Sequence, residues 1–331
     1  MTDRMDIIQF KRNISLSDPL VNILLLFGRS QRRTFCAKIG GQKIFLKGRR
    51  TTVFRGGLFL SGYILHQEKN LSYLTFTSFS STGLVAHAFT TRRGGVSGGE
   101  FAGLNLSFRV GDRPENVVAN RSIVCRALGA ELADLVAAGQ VHGDAVAVVT
   151  AADRGKGAGE PESALLGVDA LLTGERGVLL STYHADCVPV FLLDPVKKVI
   201  GLAHAGWRGT ALSVAAGAVR KMREVFGTEP GDCLAAIGPS IGPCCYEVDE
   251  PVYARFEAHY WDCRRFFQPV SPGRWRLNLW EANRRALAEA GLKEERIAVA
   301  GLCTGCCRDL FFSHRASGGK TGRMAALIML K

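Results

Sequence analysis

The sequence lacks an apolar run of the roughly 20 residues that a membrane-spanning helix needs. Its longest apolar run near the N-terminus, residues 20–27, is interrupted by Asn22, and no small-residue cleavage site of a secretory signal follows it. Low-complexity tracts and short-period repeats are also missing. The composition, 47% hydrophobic and 22% charged, is typical of a globular protein. We therefore expect a soluble, cytoplasmic protein with no membrane partner.

Histidine is scarce, with seven in 331 residues, whereas cysteine is plentiful, with ten. The cysteines do not form the framework of a small secreted domain, because two pairs are adjacent, Cys244–Cys245 and Cys306–Cys307. Adjacent cysteines rarely bridge each other, since disulfide geometry is demanding. In a reducing compartment such cysteines are metal ligands, nucleophiles or small buried hydrophobic residues.

The net charge of +12 is concentrated at one end of the chain. Residues 1–66 hold 12 Lys and Arg but only 3 Asp, whereas the remaining residues are nearly balanced at +3. The basic pI therefore belongs to the N-terminal segment, and we expect no specific nucleic-acid partner. We predict two parts. Residues 1–75 are a basic extension, poorly ordered or weakly strand-forming, or a start placed upstream of the true one; residues 76–331 are the catalytic domain.

Regular hydrophobic patterns begin near residue 84. Residues 188–193 and 199–204 are apolar runs joined by Asp194-Pro195, which predicts a hairpin. Residues 210–226 carry apolar side chains at steps of three and four and end at Gly227, which predicts an amphipathic helix. Further helices are predicted from about Asp112 to residue 128, over 252–259, and over 279–290 with Asn278 as the cap. Strands are predicted at 85–91, 146–150, 178–181, 234–237, 297–302 and 324–329. This mixture without a regular repeat predicts an α/β or α+β class with mixed sheets.

His142, Cys187 and His204 stand at the ends of predicted strands. Cys187 and His204 begin and end the predicted hairpin, so an antiparallel pairing would bring them close together. One sulfur and two nitrogen ligands suit Zn²⁺, and three protein ligands leave a fourth position open, as in catalytic zinc sites. The spacing along the chain is not a short metal motif, so buried packing of these residues is the alternative.

Several blocks together resemble one known family. They are FTTRRGGVS (89–97), LNL (104–106), QVHG (140–143), DCVP (186–189), AHAGWRG (203–209), IGPSIGPCCYEV (237–248), FSHR (312–315) and TGR (321–323). Residues 80–331 resemble the YfiH family, also called the laccase-domain or multi-copper polyphenol oxidoreductase family, whose members are regarded as purine nucleoside phosphorylases. His314 departs from the pattern, because many relatives have Tyr there.

The resemblance implies a layered α/β/β/α sandwich built from a duplicated unit, with His142, Cys187 and His204 as the metal ligands. It also implies phosphorolysis of adenosine, inosine, guanosine and S-methyl-5′-thioadenosine, together with deamination of adenosine. The partners would be small purine nucleosides and inorganic phosphate. Whether the protein is a monomer or a homodimer stays open.

Chemistry then suggests roles for the neighbouring residues. Phosphorolysis needs an arginine for the phosphate, and we expect Arg92, beside a glycine-rich loop, or else Arg208. Asp186, next to Cys187, is either an acid that moves protons during deamination or a group that orients a ligand. His184 lies three residues before Cys187, and we expect it at the rim of the site rather than on the metal.

Two other functions remain open. A copper-dependent oxidase of phenols would suit a Cys/His₂ site, but a multi-copper mechanism needs more clustered histidines than the five that are left. A metal-free cysteine hydrolase would use Cys187 as its nucleophile. The glycine-rich segment fits neither a dinucleotide fingerprint nor a P-loop. Cys244, Cys245, Cys303 and Cys306 are candidates for a second, structural zinc or for simple packing near the pocket.

Overall fold

The structure is a computed structural model that describes residues 62–68 and 71–331 with their side chains. It also describes the backbone of four earlier strands, β1 (Thr34–Ile39), β2 (Gln42–Lys47), β3 (Thr51–Phe54) and β4 (Gly57–Leu60). The chain divides into two units, Met1–Ser61 and Gly62–Lys331. In the first unit β1 pairs with β2 and β3 pairs with β4, both antiparallel. Most of the predicted basic extension lies outside the described residues.

The second unit contains the remaining elements. Its strands are β5 (Tyr63–Glu68), β6 (Leu71–Phe76), β7 (Val85–Gly94), β8 (Leu135–Gly139), β9 (Val146–Val148), β10 (Leu165–Leu166), β11 (Ala170–Thr173), β12 (Leu179–His184), β13 (Val188–Asp194), β14 (Val199–Ala205), β15 (Leu234–Ile237), β16 (Glu247–Asp249), β17 (Phe267–Ser271), β18 (Arg274–Leu277), β19 (Ile297–Val299) and β20 (Met324–Leu330). Its helices are α1 (Thr77–Ser80), α2 (Pro114–Ala127), α3 (Trp207–Ala211), α4 (Val214–Phe226), α5 (Glu250–Glu257) and α6 (Leu279–Glu289). None of the helices in the described part of the chain is long and apolar enough to cross a bilayer.

Two large mixed sheets form the centre of this unit. Within residues 62–331 the first sheet has the order β10-β8-β12-β20-β7-β6-β5, and the second has the order β19-β15-β13-β14-β11-β9. Parallel pairs, such as β8 with β12 and β15 with β19, occur beside antiparallel ones. A small antiparallel sheet, β16-β18-β17, lies apart from them. The mixed α/β class with mixed sheets is confirmed.

The two large sheets pack face to face, with helices on their outer sides. β12 and β20 of the first sheet contact β14 of the second, and the rings of Phe76 and Phe191 meet across the interface at 5.2 Å. α2 packs with apolar residues of β8, β12 and β20, while α4 packs on β11 and β14 and α6 on β15 and β19. This layering buries β13 and β14 on both faces, which explains their continuous apolar runs.

The predicted hairpin is confirmed, because β13 and β14 pair in antiparallel register from Asp194 opposite Val199 to Val188 opposite Ala205. The side chain of Asn278 caps α6 as predicted, accepting from the Glu281 N–H at 3.2 Å. Both features depend on neighbours close in sequence, so the local pattern was sufficient to predict them.

Two details differ from the sequence expectation. The helix expected over 210–226 is two helices, α3 and α4, because Ser213 between them has φ = 59°. The apolar spacing continues across this break, so periodicity does not reveal it. Asp112 does not cap α2, whose N-cap is Arg113. β5 and β6 precede residue 76 but fall within the second unit, where β6 pairs with both β5 and β7; the assignment of residues 76–331 as the catalytic domain stays a prediction.

Candidate metal centre and the cavity beside it

Three segments bring His142, Cys187 and His204 together, and we call these residues the His–Cys–His group. Their ligand atoms all lie within 4.8 Å of one another. The hairpin places two of them, because Cys187 immediately precedes β13, and His204 on β14 pairs with Pro189 on β13. His142 follows β8 in a loop and has φ = 63°, a left-handed conformation that residues other than glycine adopt infrequently.

Asp169, which the sequence reasoning missed, holds two members of this group. Its buried carboxylate accepts from His204 Nδ1 at 2.8 Å and from the His142 backbone N–H at 3.0 Å. It also accepts from the N–H groups of Val141 at 3.2 Å and Gly143 at 2.7 Å. Such a carboxylate fixes the tautomer of a ligating histidine, here leaving His204 Nε2 for a metal. The signal for it was a lone acid in the apolar stretch 164–172, since a buried acid needs partners.

Within the His–Cys–His group, Cys187 and His204 shift each other's pKa. Burial raises the pKa of the Cys187 thiol, but His204 and His142 more than offset this and lower the pKa to about 6. Burial disfavours protonation of His204, yet Cys187 and Asp169 raise its pKa to about 9. The sulfur is therefore set up as a thiolate, the form that binds metal and the form that acts as a nucleophile.

Two residues close to Cys187 in the sequence, His184 and Asp186, already have hydrogen-bond partners. His184 is buried rather than at the rim, and it donates from Nδ1 to the Cys187 carbonyl at 3.1 Å and accepts at Nε2 from the Thr182 hydroxyl at 2.8 Å. The carboxylate of Asp186 accepts from the Thr304 hydroxyl at 2.6 Å and from the Arg315 N–H at 2.7 Å. Both residues thus fix the loop that carries Cys187.

A cavity of about 440 Å³ opens beside the His–Cys–His group, and all three of its members line the wall. Its volume lies in the range of small-molecule sites. Three arginines also line it, namely Arg109, Arg121 and Arg323. His314, the residue that departs from the family pattern, is part of the same wall.

The three arginines differ in how far they are already engaged. Arg121 is buried between the rings of Phe108 and Tyr183, each 4.4 Å from its guanidinium carbon, and it donates to backbone carbonyls of Leu106 and Gly157. Arg323 donates through a single nitrogen, Nη1, to the carbonyls of Thr321 and Gly322. Arg109 donates through Nη1 to the Gln140 carbonyl at 3.3 Å. Arg109 and Arg323 therefore keep donors for an anion, whereas Arg121 is a structural part of the wall.

The two arginines expected from the sequence are placed differently. Arg92 lies over the Phe312 ring at 4.6 Å and donates to the Arg308 carbonyl at 3.3 Å. Arg208 lies over the Trp207 ring at 4.5 Å. Neither lines the cavity, although Arg208 is only two residues beyond Gly206, where an added Cβ would lie 3.0 Å from Cys187 Sγ and from His142 Cδ2.

Comparison with known proteins identifies the family. Residues 86–331 match the family described as multi-copper polyphenol oxidoreductase laccase. The chain is 44% identical over 265 residues to a protein named purine nucleoside phosphorylase YlmD from Geobacillus stearothermophilus, covering 80% of this chain and 96% of that one. It is 37% identical over 238 residues to a protein named adenosine deaminase RL5 from an unknown prokaryotic organism, covering 71% of this chain and 90% of that one.

Solved structures agree with this relationship. The crystal structure of the Bacillus licheniformis hypothetical protein YfiH has a TM-score of 0.77 and 40% identity, covering 81% of this chain and 99% of that chain. The structure of YlmD from Geobacillus stearothermophilus has a TM-score of 0.75, also at 40% identity, and covers 81% of this chain and 98% of that one. The family resemblance found in the sequence is confirmed, and the chain belongs to the multi-copper polyphenol oxidoreductase laccase family, which includes the YfiH and YlmD proteins.

Proposed function

We propose that the protein is a zinc-dependent purine nucleoside phosphorylase that also deaminates adenosine. Its substrates would be adenosine, inosine, guanosine or S-methyl-5′-thioadenosine with phosphate, and its products the free base and ribose 1-phosphate or methylthioribose 1-phosphate. The observation that carries the proposal is the His–Cys–His group in the wall of a cavity that also presents arginines. The names of the similar proteins support the same chemistry.

The donor set fits a zinc ion with one open position. His204 is held by Asp169 through Nδ1, Cys187 is set up as a thiolate, and His142 is fixed through its backbone by the same Asp169. When bound there, zinc supplies a Lewis acid that polarises a ligand oxygen or nitrogen.

The chain's own residues would bind and orient the two substrates. We place the phosphate with Arg109 and Arg323, which keep donors for an anion and line a cavity large enough for a nucleoside. Arg92 and Arg208 are the alternative phosphate ligands, to be distinguished by substitution. Gln140 fixes the wall by exchanging two hydrogen bonds with the Tyr183 backbone, at 2.9 and 2.7 Å. Asp186 is proposed to position Cys187 rather than to transfer protons, because both of its oxygens are occupied.

The lining of the cavity favours phosphorolysis as the principal reaction. Among the described residues that form the wall, none is Asp or Glu, whereas two arginines, Arg109 and Arg323, keep donors for an anion. Deamination needs a group that moves protons to and from the reacting centre, and His314 is our candidate because it shares the wall with the His–Cys–His group. Phosphorolysis needs cations for the nucleophile, which the wall offers in greater number.

A second candidate function is a metal-free cysteine hydrolase. The order Cys187, His204, Asp169 has the pattern of a nucleophile, a base and an orienting carboxylate. A multi-copper oxidase has less support, because His184 is hydrogen-bonded through both ring nitrogens and His87 accepts from the Phe76 N–H at 2.7 Å. These histidines are therefore committed to other partners.

The test uses full-length protein purified without added metal. Zinc, copper and iron are measured, and the same samples are assayed for base release from adenosine and inosine with phosphate, for oxygen uptake with a phenol, and for ester hydrolysis. We expect zinc, phosphate-dependent base release, and loss of that activity after treatment with a chelator and its return with zinc. His142→Ala should lose the zinc of this site, while the exposed control His259→Ala should not. Stoichiometric copper with oxygen uptake, or full activity without metal, would refute the proposal.

A further inference from the structure

A second group of sulfur ligands lies outside the cavity, formed by Cys244, Cys245, Cys303 and Cys306, and we call it the four-cysteine group. Its four Sγ atoms lie within 4.8 Å of one another. Cys306 Sγ is 3.5 Å from both Cys244 Sγ and Cys245 Sγ. A disulfide would need about 2.05 Å, so these distances describe neighbouring thiols and not a covalent bridge.

The fold builds this group from two adjacent loops. β15 and β19 are parallel neighbours, so the loops that follow them leave the same edge of the second sheet. Ser240 and Cys303 continue the pairing as an isolated bridge, and the Thr304 N–H donates to the Ser240 carbonyl at 3.0 Å. The first loop carries Cys244 and Cys245, and the second carries Cys303 and Cys306. Their proximity therefore follows from strand order.

Close packing of glycines shows that the loops are shaped around the sulfurs. A Cβ on Gly305 would lie 3.0 Å from Cys245 Cβ and 3.2 Å from its Sγ. A Cβ on Gly242 would lie 2.7 Å from Trp280 and 3.2 Å from Cys303 Cβ. The Gly242 N–H also points to Cys303 Sγ at 3.2 Å, which is the kind of contact that stabilises a thiolate.

The geometry points to a second zinc ion, and we propose that the four-cysteine group binds it as a closed, structural tetrathiolate site. Zinc–sulfur bonds of about 2.3 Å place tetrahedral sulfurs ~3.8 Å apart, within the observed range. The short distances between the Sγ atoms leave room for one ion. They are too short for an iron–sulfur cluster in which each cysteine binds a different iron.

The site also reaches the loop that carries Cys187. Asp186 accepts from the Thr304 hydroxyl at 2.6 Å, and its carbonyl accepts from the Ile241 N–H at 2.9 Å. Ile241 and Thr304 belong to the two loops that the second zinc would join. The ion would thus stabilise the backbone next to a member of the His–Cys–His group. This inference does not depend on the reaction that the cavity performs.

The first experiment counts metal in wild-type protein and four variants purified under reducing conditions. We expect two zinc ions per chain in wild type, one in Cys306→Ser, one in His142→Ala, and none in the double variant. Cys307→Ser, the adjacent cysteine outside the group, is the matched control and should retain two. Cys306→Ser should also lower the melting temperature, whereas the loss of base release in His142→Ala reports on the cavity separately.

A second measurement covers the case in which Cys306→Ser fails to fold. His142→Ala protein loaded with Co²⁺ should show thiolate-to-cobalt absorption about fourfold that of a single-thiolate site, since four sulfurs would bind the ion. Three results would overturn the inference: a wild-type zinc count of one that Cys306→Ser leaves unchanged, iron or copper in place of zinc, or a Cys244–Cys306 disulfide in protein kept reduced.

Discussion

The His–Cys–His group and the four-cysteine group are assembled in different ways. The first takes Cys187 and His204 from the β13–β14 hairpin and His142 from the loop after β8, and it faces a cavity with arginines. The second takes all its members from two loops that follow neighbouring strands, and its ligands are all sulfur. Three mixed ligands beside a cavity leave a position for a reactant, whereas four sulfurs complete the coordination of one ion. Ligand number and surroundings, more than the presence of cysteine, separate a candidate reaction centre from a candidate structural site.

The largest effect is expected from Asp169→Asn, which tests whether one carboxylate holds the His–Cys–His group. Asparagine places an NH₂ group against backbone N–H donors or against His204, so at least one hydrogen bond is lost. We predict a loss of activity or zinc affinity of about 10- to 100-fold. The free energy of unfolding should fall by about 2 kcal/mol.

Isothermal titration with zinc and urea denaturation check this prediction. Asp249→Asn is the control, because that side chain is exposed and makes no cap hydrogen bond. The metal of the four-cysteine group should be retained in both variants. Unchanged zinc affinity in Asp169→Asn would show that the loop around His142 is held by other contacts.

A smaller effect is expected from Gly206→Ala, which probes the packing against the ligands. The added Cβ would lie 3.0 Å from both Cys187 Sγ and His142 Cδ2, so both side chains must move by a few tenths of an ångström. Because small displacements of reacting groups are costly, we predict a loss of activity on the order of tenfold. Gly159→Ala, with open space around its Cβ, should behave as wild type. Equal activity in the two variants would indicate that the group tolerates displacement.

Arg323→Ala tests which arginines serve the cavity. Loss of a charged hydrogen bond should raise the KM for phosphate by about tenfold or more, with the KM for inosine little changed. Arg323→Lys, which keeps the positive charge, should raise the KM for phosphate less than Arg323→Ala does. Arg92→Ala is the comparison: if it raises the KM for phosphate while Arg323→Ala does not, the sequence-based assignment is the better one.

The smallest effect on activity at neutral pH is expected at His87, which lies outside both groups and distinguishes unfolding in acid from loss of metal. Burial lowers its pKa to about 3, and its Nε2 accepts from the Phe76 N–H. The unfolded chain takes up the proton near pH 6.5, so stability from this group is present above that pH and is lost as the pH falls towards 3. Between pH 7.5 and 5 the loss is about 2 kcal/mol.

His87→Gln keeps an acceptor for Phe76 without titrating, so it should reduce this pH dependence, as measured by urea denaturation at several pH values. His259→Gln, at an exposed position, should leave it unchanged. Identical pH profiles of stability for wild type and His87→Gln would mean that protonation of other groups causes the loss of stability in acid. His87→Gln could then not be used to separate metal release at pH 5 from unfolding.

The sequence predicted what depends on local pattern and on pairing between consecutive elements. The proximity of Cys187 and His204 was predicted, because the register of the β13–β14 hairpin follows from two apolar runs and a turn. The break at Ser213 was not predictable from periodicity, since the apolar face continues through it. Asp169 and Arg323 escaped notice because their roles depend on contacts between segments far apart in sequence. His142 was identified from the strand end expected near it and from the family resemblance, and not from its contacts in the fold.

The backbone at His142 and Asp186 has a consequence for how an ion would enter and leave. Both residues adopt left-handed conformations, with φ of 63° and 87°, and each is fixed by hydrogen bonds that do not involve a metal. The donor positions are therefore set during folding, and an arriving ion needs little rearrangement of the chain. Loss and rebinding of the metal ion at the His–Cys–His group should leave the main chain in place. The rate of metal exchange would therefore be governed by access from solvent and by dissociation of the ligands from the ion.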